Sequence, residues 1–163
     1  GDIPFPAGSG PRHIGFDSER GMMYCLSELS GELFVFRIKS ADGVPVFELA
    51  QTVLADEFHS GGSADIHLHP SGRYLYTSHR LKNDGLAVFK VCDDGTIRKS
   101  GYVHTKDHPR NFLITPDGRH ILVASKNDLS IEVFFIDGDG MPVPTGRISS
   151  LSPDAPTAIA ICK

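Results

Sequence analysis

Tryptophan is absent from the 163 residues, and cysteine is scarce. Cys25, Cys92 and Cys162 lie far apart, without the paired spacing of a zinc knuckle, a redox C-x-x-C or a small disulfide scaffold. They read as reduced structural thiols. Positive charge is short as well: 16 Lys and Arg face 20 Asp and Glu, a formal net charge of −4. With no basic run able to track a phosphate backbone, nucleic acid is excluded as a partner. No apolar run approaches the roughly 18 residues of a membrane span, and Gly1–Gly10 has neither the basic start nor the apolar stretch of a signal peptide. The expectation is a soluble, cytoplasmic protein with no membrane partner. P-loop, H-E-x-x-H, G-x-S-x-G and Cys/His nucleophile patterns are missing too.

What is present is 40% hydrophobic residues, enough for a real core, in a length that suggests one domain, 1–163. The 17 Gly and 11 Pro are spread along the chain, which implies short elements joined by tight turns. Self-similarity supplies the plan. The segments Phe16–Ser27, Leu68–Ser78 and Ile114–Ser125 each run from an apolar strand end through a polar Gly-containing turn into a β-rich stretch ending in Ser. Those serines are 51 and 47 residues apart. Each is followed by V-F-x-[IV] (Val35–Ile38, Val88–Val91, Val133–Ile136) and then by Asp42-Gly43, Asp94-Gly95 or Asp139-Gly140.

One period reads as four short strands, in the first unit about His13–Phe16, Met22–Ser27, Glu32–Ile38 and Phe47–Leu54. Long stretches of period 3.6 are missing, which disfavours a helical solenoid. The fold class is therefore all-β, a β-propeller with four-stranded antiparallel blades over about 12–56, 64–105 and 110–152 and a closing strand at 157–162, Ala158–Cys162 at its centre. Three blades and a strand are too few to close a ring, since propellers have typically 4–8 blades. The expectation is the carboxy-terminal half of a longer protein, with a homo-oligomer through exposed blade edges as the other way to complete a ring.

Antiparallel blades place the D-to-A and B-to-C connections on one face and the turns on the other. The first face gathers Arg12 and His13, Glu28, Asp65, Arg80 and Arg110. Arg12 and Arg110 both follow Pro and both precede the strand-B Ser by 15 residues. A cationic rim of this kind suits an anionic small molecule, because an Arg fork grips carboxylate or phosphate at two points. More ordinary readings also fit: an Arg after Pro ties down a loop carbonyl, and Glu28 is a salt-bridge partner of Arg12. Asp65, His67 and His69 alternate along one strand, as metal ligands do and as polar residues facing a wet channel also do. The second reading is preferred, with no metal. His59 and His79 read as loop residues, and the V-F-x-[IV] strands as packing between blades.

Gly8-x-Gly10-Pro11-Arg12-His13, Glu28-Leu29, Ser63-Ala64-Asp65-Ile66-His67, Pro70-Ser71-Gly72-Arg73-Tyr74-Leu75-Tyr76 and His108-Pro109-Arg110 together resemble the bacterial lactonase family of seven-bladed propellers. The similarity runs over essentially the whole chain and corresponds to the carboxy-terminal half of such proteins. It implies hydrolysis of a sugar-acid lactone, with 6-phosphoglucono-δ-lactone the first choice and no cofactor. A carboxymuconate-type lactonising cyclase and a non-catalytic binding module are the alternatives. By the same resemblance, Arg12, Glu28 and Arg80 form the catalytic group, with Glu28 as base or water-positioning residue, and a further His comes from an earlier blade. His13, Asp65, His67 and Arg110 are the expected substrate-binding residues. Ser27 stands where the family pattern has Asn before Glu-Leu.

Overall fold

The computed structural model describes residues 2–151 and 155–161. Twelve strands form three four-stranded antiparallel meanders. The first blade is β1 (Pro11–Asp17), β2 (Met22–Ser27), β3 (Glu32–Ala41) and β4 (Val44–Leu54). The second is β5 (Ser63–Leu68), β6 (Tyr74–His79), β7 (Gly85–Val91) and β8 (Ile97–His104), and the third is β9 (Pro109–Ile114), β10 (His120–Ser125), β11 (Ser130–Ile136) and β12 (Pro142–Ser150).

Strand alternation explains how the blades stack. Side chains of one strand point to opposite faces, so β2 and β6 are buried along their whole length because both faces are covered. Met22, Tyr24 and Leu26 of β2 join Leu75, Ala87 and Phe89 of the second blade in one core. Tyr74, Tyr76, Leu86 and Val88 face the other way and pack with Phe112, Ile121, Val123 and Phe134. A tyrosine stitch repeats at each of these interfaces. Tyr24 donates to the Gly95 carbonyl (3.0 Å) and Tyr76 to the Gly140 carbonyl (2.8 Å), each in the Asp-Gly turn of the following blade. Gly95 has a φ of 83°, and a Cβ there would lie 2.4 Å from Met22 Cγ, so the turn needs glycine for conformation and for close approach.

The V-F repeat marks more than packing. In every blade the ladder between the third and fourth strands slips at that dipeptide, between Val35 and Phe36, Val88 and Phe89, and Val133 and Phe134. A bulge of this kind sharpens the local twist that a blade requires. Ser100 and Thr145, on the bulged strands, donate their hydroxyls to the Val88 and Val133 carbonyls.

A second set of irregularities lies where the innermost strands β1, β5 and β9 begin. There His13, Asp65 and Asn111 occupy corresponding places and are linked from blade to blade. His13 Nδ1 meets Asp65 Oδ1 at 2.7 Å, Asn111 Nδ2 donates to Asp65 Oδ2, and the Ile159 N–H donates to Asn111 Oδ1 at 2.7 Å. This polar belt reaches the segment expected to form a closing strand. Residues 155–161 form no strand and join none of the three sheets among the described residues; Cys162 lies outside the described residues.

Candidate active site

The lead-in to β1 and the connection after β2 are built as one unit. The Gly10 carbonyl accepts from the Glu28 N–H (2.7 Å), and the Ser9 carbonyl accepts from the Leu29 and Ser30 N–H groups (3.1 Å each). The Glu28 carbonyl accepts from Ser63 N–H at 3.2 Å, tying the loop to the second blade. This is why G-x-G-P-R-H and E-L occur together: one segment holds the backbone of the other.

Glu28 is thereby placed between two guanidiniums. Arg12 Nη1 donates to Oε2 (2.9 Å) and Arg80 Nη2 to Oε1 (2.6 Å). Arg12 also donates Nε to the Ala64 carbonyl at 3.1 Å, so it performs the ordinary loop-tying role and the Glu28 pairing at once. Arg80 is 4% exposed. Its Nε donates to the Gly62 carbonyl (2.9 Å), and its Nη1 to Nε2 of His108 (3.0 Å). Gly62 is required by space alone, since a Cβ would stand 2.8 Å from the Arg80 carbonyl oxygen.

Burial works to raise the Glu28 carboxyl, but the hydrogen bonds and charges of Arg12 and Arg80 outweigh it and hold the group below the usual carboxylate range. Burial lowers Arg80, against the pull of Glu28. His108 is lowered by burial first and then by the charges of Arg80 and Lys126, which favours the neutral ring that can accept from Arg80. His108 has a positive φ of 64°, its N–H donates to Asp84 Oδ1 (2.8 Å) and its carbonyl accepts from Lys126 N–H (2.9 Å).

The second cluster lies along the first strands of the blades, β1, β5 and β9. Asp65 is 3% exposed and accepts from His13 Nδ1 (2.7 Å), His67 Nε2 (3.1 Å), Asn111 Nδ2 and the N–H groups of Ile66 (2.9 Å) and Phe112 (3.2 Å). Burial opposes its ionisation, yet the two histidines and the Phe112 N–H pull the carboxyl down to about 2. A cavity of about 540 Å³ is walled by Arg12, His13, Asp65 and His67 among others. His69 leaves this group, bonding Ser71 Oγ and the Gly118 carbonyl at 2.8 Å each.

The structure thus brings Arg12, Glu28 and Arg80 together, and His13, Asp65 and His67 together, with Arg12 belonging to both walls. Arg110 joins neither by a side-chain hydrogen bond among the described residues, although it is near enough for its charge to depress Arg80. Sequence reasoning missed His108, Asn111 and the burial of His79. His79 ends β6 rather than lying in a loop, is 0% exposed, and is bonded to Ser63 Oγ and Thr77 Oγ1. Alignment of Pro11-Arg12-His13 with Pro109-Arg110-Asn111 was the available signal for Asn111.

The family model described as lactonase, 7-bladed beta-propeller, matches residues 1–160. The chain belongs to this family. A lactonase-family relative, the 6-phosphogluconolactonase of Serratia proteamaculans, is 37% identical over 135 residues, covering 80% of this chain and 40% of that protein. The 6-phosphogluconolactonase of Yersinia pestis is 34% identical over 152 residues, 92% of this chain and 44% of its own length. The solved structure of the periplasmic gluconolactonase of Pseudomonas aeruginosa superposes with a TM-score of 0.82 at 30% identity, covering 94% of this chain and 43% of that one. The chain therefore spans about two-fifths of the length of the lactonase-family proteins it matches.

Proposed function

We propose that this chain forms three blades of a complete seven-bladed ring that hydrolyses a sugar-acid lactone, 6-phosphoglucono-δ-lactone being the preferred substrate, to the open acid. The observation that carries the reading is the pair of guanidiniums sharing Glu28, with Arg80 almost fully buried. A guanidinium has five N–H donors. Arg12 commits two of them and Arg80 three among the described residues. The remaining donors suit the phosphate of the substrate or the oxyanion that develops when water attacks the lactone carbonyl. Glu28, anionic under the influence of both arginines, keeps the two forks aligned and positions water. The names of the relatives, 6-phosphogluconolactonase and gluconolactonase, support the substrate class. His13, Asp65 and His67 line the channel side of the same site, and Arg110 adds to its positive potential.

The test is Arg80→Met in the full-length protein. Loss of a charge-assisted contact of about 1.5–3 kcal/mol corresponds to a fall of roughly 10- to 100-fold in kcat/KM. A folded variant with unchanged kcat/KM would remove Arg80 from the site.

A further inference from the structure

Glu28 accepts from a guanidinium at each of its oxygens, and a carboxylate held below its ordinary range can position water but is a weak proton acceptor near neutrality. The attacking water nevertheless needs a base. Asp65 receives five donors and is ionised, so it acts as acceptor only. The proton in its 2.7 Å contact with His13 consequently sits on Nδ1, so the neutral ring carries its lone pair on Nε2. The His13 side chain is 43% exposed, and it walls the same cavity as Arg12. A buried carboxylate that fixes one imidazole tautomer and leaves the other nitrogen accessible is the arrangement that makes histidine a proton acceptor for hydrolysis. His67 uses the same carboxylate but is pinned edge-on to Phe112, with ring centroids 4.7 Å apart.

From this geometry we propose that His13 is the general base of the lactone hydrolysis and Asp65 its orienting partner, an inference that rests on the function proposed above. Water oxygen bonds to the lactone carbonyl carbon while its proton passes to His13 Nε2. The oxyanion is held by the arginines. Collapse re-forms the carbonyl and breaks the bond to the ring oxygen, which takes the proton back from Nε2 and leaves as the hydroxyl of the open acid. The charged and titratable groups sharing the cavity wall with His13 are Arg12 on its own strand and Asp65 and His67 on β5.

His13→Asn is the informative variant. Asn111, at the corresponding place in the third blade, already donates its side-chain amide to Asp65, so the fold accepts asparagine here while the base is lost. In the full-length protein the substitution is expected to lower kcat by about 10²–10⁴-fold and to leave the melting temperature near that of the parent. His104→Gln, at the exposed end of β8 and outside this cavity, is expected to keep kcat within a few-fold. Retention of kcat in His13→Asn, or an equal loss in His104→Gln, overturns the assignment. Absence of lactone hydrolysis by the parent itself overturns the proposed function instead.

Discussion

Lowering the pH from 7 to 4 should remove a defined part of this protein's stability through His79. That ring is completely buried at the end of β6, bonded to Ser63 Oγ (2.9 Å) and Thr77 Oγ1 (2.7 Å), and stacked on Tyr102 with centroids 6.3 Å apart. Burial pushes its pKa from 6.5 down to about 4, with Asp56 opposing and Lys99 adding to the fall. The unfolded chain therefore takes up a proton between those values that the folded protein refuses. Stability from this group is complete above pH 6.5 and is lost as pH falls toward 4. The interval corresponds to about 3 kcal/mol. His108, lowered in the same direction, adds to the slope. Urea unfolding at pH 7.5, 6.5, 5.5 and 4.5 measures it, and His79→Gln provides the control. The variant should be less stable at neutral pH and show a flatter dependence. A wild-type stability that stays constant across this range, or a slope identical in the variant, refutes the buried neutral imidazole.

Three further outcomes follow from packing. Tyr76→Phe leaves the Gly140 carbonyl without its 2.8 Å donor and should cost about 1–2 kcal/mol in denaturant unfolding, with Tyr24→Phe similar. Ser27→Ala should be neutral or stabilising by up to about 1 kcal/mol, because the buried Ser27 hydroxyl has no partner among the described residues; a loss of stability of about 1 kcal/mol or more in denaturant unfolding refutes this. Gly62→Ala must shift the Arg80 backbone and should lower both stability, by about 1–3 kcal/mol, and kcat/KM in the full-length protein.

Much of the architecture was legible because its physical signal is repetitive. β2 spans Met22–Ser27 as the sequence predicts, since a run buried on both faces has sharp ends. The hairpin joining β3 to β4 extends farther than expected, to Ala41 and Val44, because its tip is exposed and lacks an apolar pattern. The Arg12, Glu28 and Arg80 group was accessible through the resemblance of its motifs to the lactonase family. His13, Asp65 and His67 were expected at the site, but the bonding that links them to Asn111 from blade to blade was not legible, because His13, Asp65 and Asn111 fill corresponding places with unlike side chains. His79 was misplaced for a related reason: a polar Ser-His-Arg run resembles a loop, whereas Ser63, Thr77 and Tyr102, the groups that make its burial tolerable, come from other positions and from β5 and β8.

The central claim is that the paired arginines serve an anionic lactone. Its most direct test is hydrolysis of 6-phosphoglucono-δ-lactone and glucono-δ-lactone by the full-length protein, each against its spontaneous rate. The account predicts a kcat/KM at least about tenfold higher for the phosphorylated lactone, as one charge-assisted contact warrants, and collapse of that preference in Arg80→Met. Equal rates for the two lactones, or none above the spontaneous reaction, would contradict it.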